Sequence, residues 1–219
     1  MPVNSDPDIV IRKYCPQDRA AIRRICCETA LMGEPASAFF DDYEALADAL
    51  TKYFTDYEPE SCFIAESKGN VVGYLTGAVD SGRMSGVLNF RIAPFLVIKA
   101  LLRGAFFRKK NIKFFLCLLL SLFAGEFFVQ DPSKDYPALL HINVDRGFRA
   151  SGTGSMLMQA YISYLKVAGI KGVHCATMSE SGGRFFESQG FAMLFKGKRS
   201  YFRHVLKRDV PLYIYGKRL

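Results

Sequence analysis

Acidic residues are missing from one stretch of this 219-residue chain. Between Arg83 and Lys113 stand eight lysines and arginines and not one aspartate or glutamate. The remainder balances at 21 basic against 21 acidic residues, so the net charge of +8 belongs to a single segment rather than to the whole fold. Metal-ligand spacing is missing as well. Cys15, Cys26, Cys27, Cys62, Cys117 and Cys175 follow neither a metal-binding pattern nor a regular disulfide framework. That excludes a zinc module and a stapled secreted scaffold, and it fits free thiols in the cytoplasm. The polar, acidic start, residues 1–8, does not have the composition of a secretory signal. The longest uncharged apolar run, residues 114–125, is twelve residues and ends at Glu126, short of the ~20 needed to span a bilayer. Histidine is scarce, with three in the chain, so candidate bases are few.

Half of the residues are hydrophobic, ample for one domain over 8–219 carrying a helical insertion over 82–133. Residues 8–14 alternate as a first strand, with Ile9 and Ile11 on one face. Pro16-Gln17-Asp18 opens a helix whose inner positions are Ile22, Ile25, Cys26 and Thr29. A second helix is expected over 38–54, with Tyr43, Leu46, Ala47, Leu50 and Phe54 turned inward. Strands over 61–66 and 71–79 are joined by a tight turn at Lys68-Gly69-Asn70. Residues 139–144 form a short apolar strand, central and covered on both faces. A helix carrying Leu157, Tyr161, Leu165 and Ala168 ends at Gly169. A strand over 172–178, a short helix over 183–188 and two last strands complete an α/β layer around a mixed sheet.

The insertion contains two helix-like stretches, 94–107 and 111–128. The pattern points first to a hairpin of two buried helices. A lid over an apolar substrate, a membrane-surface element through 90–128 and a homodimer surface stay open as alternatives. Nucleic acid is not an expected partner, because a leucine–phenylalanine hairpin is a poor stacking platform.

The stretch richest in chemistry is Arg149-Ala150-Ser151-Gly152-Thr153-Gly154, which leads from the central strand into a helix. A helix start offers unpaired N–H groups and a positive dipole end, and glycine lets an anion approach the backbone. The loop lacks the Gly-Lys-Ser/Thr of a P-loop and the spacing of a dinucleotide fold. It resembles the Arg/Gln-x-x-Gly-x-Gly pyrophosphate loop of the GNAT N-acetyltransferases. The later aromatic-x-x-x-Gly-Phe signature of that superfamily matches Phe186-Glu187-Ser188-Gln189-Gly190-Phe191, and the likeness covers everything outside the insertion. The 12–60 segment, Leu140-His141-Ile142-Asn143 and the ending Tyr215-Gly216-Lys217-Arg218-Leu219 are similar to a bacterial subgroup. That subgroup is akin to the acetyltransferase-like domain attached to some O-GlcNAc hydrolases.

The resemblance implies a GNAT-like mixed sheet flanked by helices on both faces, and acetyl-CoA as cofactor. The backbone of Ile142 to Val144 would hold the pantetheine arm, and Arg149, Ala150, Ser151, Gly152, Thr153, Gly154 and Ser155 the pyrophosphate. Ser179 stands where many members have a cofactor-holding Asn. Phe186 stands where many have a Tyr that protonates the leaving thiolate, and it has no proton to give.

Acetyl transfer to an amine needs a positioned thioester, an oxyanion donor and a base. His141 and Asn143 share one face of the central strand, and His174 lies on the next strand. Imidazole titrates in the useful range, so these three are the catalytic candidates. Cys175 reads as a core residue, and Glu58 and Glu60 as an exposed loop. The expected reaction is N-acetylation of a small-molecule or peptidyl amine. A non-catalytic acyl-CoA-binding module and a membrane-peripheral acyltransferase remain alternatives.

Overall fold

A computed structural model of the protein describes residues 8–219; the start of the polar N-terminal stretch read above, residues 1–7, lies outside them. Seven strands form one sheet: β1 (Ile9–Lys13), β2 (Phe63–Ser67), β3 (Asn70–Ala78), β4 (Ala138–Val144), β5 (Gly172–Thr177), β6 (Ala192–Arg199) and β7 (Val210–Arg218). They lie in the order β1-β2-β3-β4-β5-β7-β6, which puts β4 in the middle. All neighbouring pairs are antiparallel except β4 and β5. That parallel pair is joined through α6 (Thr153–Val167), the crossover a parallel connection requires. The hairpin between β2 and β3 turns at Lys68 and Gly69, both at positive φ (51° and 77°), which makes the tight turn expected there a primed one.

Helices cover both faces. On one, α1 (Arg19–Thr29) sets Ile22, Ile25 and Cys26 against Ile64 and Tyr74. On the other, α6 buries Leu157, Tyr161 and Leu165 against Phe63, Leu75 and Leu140. Phe186 of α7 (Glu180–Ser188) joins that second cluster.

Three expectations need correction. The second helix, α2, runs Tyr43–Asp56, and its inner face carries Ala45, Ala47, Asp48, Thr51 and Phe54, while Tyr43 and Leu50 are exposed. The helix is turned toward the side where Asp48 meets two cations, Arg23 of α1 and Lys99 of the insertion. Charge pairing across elements has outweighed the apolar pattern. Glu58 is buried rather than exposed. Its carboxylate accepts from Tyr53 Oη (2.7 Å), Ser61 Oγ (2.8 Å) and Val79 N (2.6 Å), tying α2, the approach to β2 and the end of β3 together.

The third correction is the insertion. Its first helix begins earlier than the pattern suggested. α3 (Ser81–Val87), a π-turn (Leu88–Ile92) and α4 (Ala93–Leu102) make one continuous 22-residue helix whose most apolar 18 residues have a mean hydropathy of 1.5, long and apolar enough by composition to cross a membrane. α5 (Lys109–Phe123) follows. Neither helix is buried. Met84 and Ile92 pack with Tyr53, Phe54 and Ala78, and Phe114 and Phe115 pack on Phe39, Phe40 and Phe202. Most of the remaining apolar side chains face outward. No other element among the described residues covers them, because the insertion leaves the sheet after β3 and returns to β4 at the same point: Ser81 N donates to Pro137 O at 2.9 Å.

Candidate active site

Apart from register shifts at Ala65/Glu66 and Met193/Phe195, neighbouring strands of the sheet stay paired along their length except at one place. β4 and β5 pair only at Ala138↔Val173 and Leu139↔His174, after which they separate. On its other side β4 stays paired with β3 up to Gly73↔Val144. From Leu140 to Val144, the backbone groups aimed at β5 therefore have no strand partner. Buried peptide groups seldom go unpaired, so a ladder broken in mid-sheet is a place for an extended polar ligand.

At the open end of this split the chain turns into α6. Ala150 and Gly152 both take the left-handed conformation, φ 62° and 82°. Gly152 is the N-cap of α6, with no side chain capping the first turn. The first N–H bonded into the helix is that of Met156, to Gly152 O at 3.1 Å, which leaves the preceding N–H groups directed outward. Ser151 Oγ donates to Phe148 O (2.6 Å) and shares a 2.7 Å hydrogen bond with Thr153 Oγ1, so both hydroxyls brace the loop.

The two glycines of the motif serve different ends. A side chain at Gly152 would meet no atom within 4 Å, so its glycine answers to backbone conformation. A Cβ at Gly154 would stand 3.3 Å from the Phe185 ring and 3.9 Å from Ile142 Cδ1, so that glycine lets Phe185 close over the helix start. Arg149 folds back instead of reaching along the loop. Its Nε donates to Val144 O at 3.1 Å and its guanidinium lies against Gly33.

His141 and Asn143 are brought together; His174 is not joined to them. Asn143 Nδ2 lies 2.7 Å from Tyr74 Oη and 3.0 Å from His141 Nε2. Tyr74 is fully buried opposite Asn143 on β3, and burial raises its pKa well above 10, so it stays protonated. Two proton arrangements satisfy this trio. The amide nitrogen donates to both neighbours, or the amide is turned over and its oxygen accepts from both. In the second, His141 Nδ1 keeps a free lone pair. The imidazole is open to water at the face of the sheet, yet the protein crowded around it disfavours the imidazolium and lowers its pKa from 6.5. His174 is largely buried. Its Nδ1–H donates to Tyr136 O at 2.7 Å, and desolvation lowers its pKa.

Ser179 caps α7, accepting from Gly182 N at 3.1 Å. Phe186 packs in the core between Phe191 and Tyr215 (centroids 5.6 and 6.0 Å away), with its ring away from solvent. Cys175 is fully buried and its thiol pKa is pushed up by desolvation, which makes it inert.

Three contributors were not singled out in the sequence. Tyr74 fixes Asn143, Phe185 covers Gly154, and Gln189 Nε2 donates to Ser155 Oγ at 3.1 Å, clamping α7 to the first turn of α6. Phe185 and Gln189 carried a local signal, as neighbour and member of the aromatic signature. A cavity of about 540 Å³ lies elsewhere, between α1, α2 and α4, where Arg23, Glu44, Asp48 and Lys99 pair among themselves.

No family model and no curated protein matches the sequence. Solved structures do match. SsHAT is 24% identical, with 97% of this chain and 98% of that one covered and a TM-score of 0.71. The polyamine N-acetyltransferase of Drosophila melanogaster, which forms N-acetylagmatine, is 17% identical over 97% of this chain and 100% of its own, with a TM-score of 0.61. yncA of Salmonella typhimurium, crystallised with its cofactor acetyl-CoA, is 14% identical over 97% and 94%, with a TM-score of 0.56. Identities this low speak for architecture rather than chemistry, and on architecture they agree: the chain has the fold of the GNAT N-acetyltransferases.

Proposed function

We propose that this protein is an acetyl-CoA-dependent N-acetyltransferase acting on a small amine. The observation that carries the reading is the early end of β4–β5 pairing beside an uncapped helix start. The residues present fit the cofactor. The free backbone of Leu140–Val144 suits the amide-bearing pantetheine arm, and the outward N–H groups at the α6 start suit a pyrophosphate. Val144 O is taken by Arg149, so pairing there would fall to the other groups of the strand.

Acetyl-CoA supplies the activated acetyl group, and the acceptor nitrogen displaces its thiolate. The chain supplies position and proton transfer. A free N–H of β4 polarises the carbonyl oxygen. His141, neutral because of its lowered pKa, takes the ammonium proton at the nitrogen turned away from Asn143, directly or through water. Asn143, fixed by Tyr74, sets the ring orientation. A small amine is favoured as acceptor because the neighbours include enzymes named for polyamine and agmatine acetylation. The closer tie to the domain attached to O-GlcNAc hydrolases rests on the sequence stretches alone. The six free cysteines support a cytoplasmic setting.

A second reading, a binding module without turnover, is favoured by one observation: the ring of Phe186 brings no proton and is buried in the core. Calorimetric titration with acetyl-CoA, free CoA and a longer acyl-CoA, followed by a CoA-release assay over a panel including agmatine and polyamines, separates the two. Binding with release supports the enzyme, binding without release the module, and no binding of any of the three defeats both.

A further inference from the structure

Beside Phe114 and Phe115, α5 turns polar side chains toward the protein and apolar ones to solvent. The positions it turns toward the protein include Asn111 and Ser121, both fully buried. Asn111 accepts from Asp41 N (2.7 Å) and donates to Ala105 O (3.0 Å), and Ser121 Oγ donates to the Glu126 carboxylate. Among the side chains turned outward, Ile112, Leu116, Leu119, Leu120 and Phe123 form one stripe at helical spacing, and Leu122 is exposed beside it. The preceding helix does the same. It buries Ile92 and Ala100 and exposes Ile98, Leu101 and Leu102. Phe90, Leu102, Phe107, Leu120, Phe123 and Phe128 are each at least 68% exposed, which in water is an apolar surface without a reason.

The charges carried by the two helices themselves are all of one sign. No carboxylate occurs from Ser81 to Gly125. Lys99, Arg103 and Lys110 are held by Asp48, Asp42 and Asp41 at the α2 side. Arg83, Arg91, Lys109 and Lys113 are exposed and make no ion pair among the described residues. Lys109 and Lys113 stand one turn before Ile112 and Leu116, along the rim of the stripe.

We propose that this hairpin docks on an anionic bilayer surface, with the stripes of α4 and α5 in the boundary between headgroups and acyl chains and the free cations at the lipid phosphates. Apolar side chains rimmed by lysine and arginine are the composition of such an interfacial element. The helix lies on the surface and does not cross it. Although Ser81–Leu102 is long enough to span, its start is bonded to Pro137 and its end is held through Lys99 and Arg103 to α2, so it offers one face only. A second copy of the chain fits less well, since a surface without carboxylates would set cations against cations. The inference stands independently of acetyl transfer.

The test is flotation with vesicles of phosphatidylcholine alone or mixed equally with phosphatidylglycerol, at low and high salt. The expected result is binding to the mixed vesicles that weakens as salt rises. Lys109→Ala with Lys113→Ala lowers the partition coefficient about thirtyfold, at about fivefold per cation. Leu102→Ser with Leu120→Ser and Phe123→Ser, all at exposed positions, abolishes binding while the melting curve stays unchanged. No binding to the mixed vesicles overturns the proposal, as does equal binding by the triple-serine variant or by neutral vesicles. A lipid-free dimer in light scattering that the triple-serine variant dissolves, without vesicle binding, assigns the face to self-association instead.

Discussion

Asp48→Ala tests how firmly the insertion is fastened to the domain. The Asp48 carboxylate is nearly buried between Arg23 of α1 and Lys99 of α4, with side-chain exposures of 7%, 11% and 24%. Removing one partner of a buried ion pair costs about 3–5 kcal/mol, because the remaining charge stays desolvated. Here the lower end applies. Glu44 still reaches Arg23, and Lys99 turns partly to water. A loss of about 3 kcal/mol lowers the melting temperature by about 6–12 °C in a chain of this size.

Adding Lys99→Met to Asp48→Ala removes one orphaned cation, so the pair of changes should cost about 1–2 kcal/mol less than the sum of the two singles. Acid adds a second reading. Desolvation pushes the Asp48 pKa up, but hydrogen bonds from Lys99 and Arg23 outweigh it and hold the carboxyl below 3.8. A depressed folded pKa gives stability that is present above the unfolded value and lost as pH falls through the folded one. Wild type therefore loses stability below pH 3.8 more steeply than Asp48→Ala. Circular-dichroism melts and urea titrations measure all three quantities. A cost under ~1 kcal/mol, the range of exposed pairs, with no coupling to Lys99, would refute the reasoning.

His141→Ala should lower kcat by about 10²–10⁴ in an acetyl-transfer assay. It should also erase an acid limb that in wild type lies below pH 6.5, where the imidazole becomes charged. Gly152→Val forces a branched side chain into φ 82° and should abolish acetyl-CoA binding in calorimetry, although no atom stands in its way. Unchanged affinity would remove the loop from the site. Phe186→Tyr should leave turnover no faster and cost about 1–3 kcal/mol in denaturant titration, because the new hydroxyl enters a core cluster without a partner. A rate gain would place that ring in the cleft after all.

What could be read from the sequence was local. The primed turn at Lys68-Gly69, the strand–glycine loop–helix passage at Val144 to Thr153 and the Gly169 stop of α6 each announce themselves within a few residues. The face of α2 was misread because burial of Asp48 depends on Arg23 and Lys99, 25 and 51 residues away. Glu58 was misread because its burial needs Val79, 21 residues away, although Tyr53 and Ser61 lie within five residues of it. Apolar composition marked the insertion as avoiding water but could not say that the protein itself leaves it uncovered. At the candidate site, alternation placed His141 beside Asn143. The tyrosine behind them and the parting of β4 from β5 come from sheet register, which no short window contains.

That parting also has a cost for solubility. An open edge in the middle of a sheet is still an edge, and its Leu140-His141-Ile142-Asn143-Val144 is uncharged, proline-free and rich in strand formers. Such a segment is a template for a strand from another molecule. Any occupant that pairs with its backbone also shields it, so a substrate analogue bound there should slow aggregation at high protein concentration, whether or not chemistry follows.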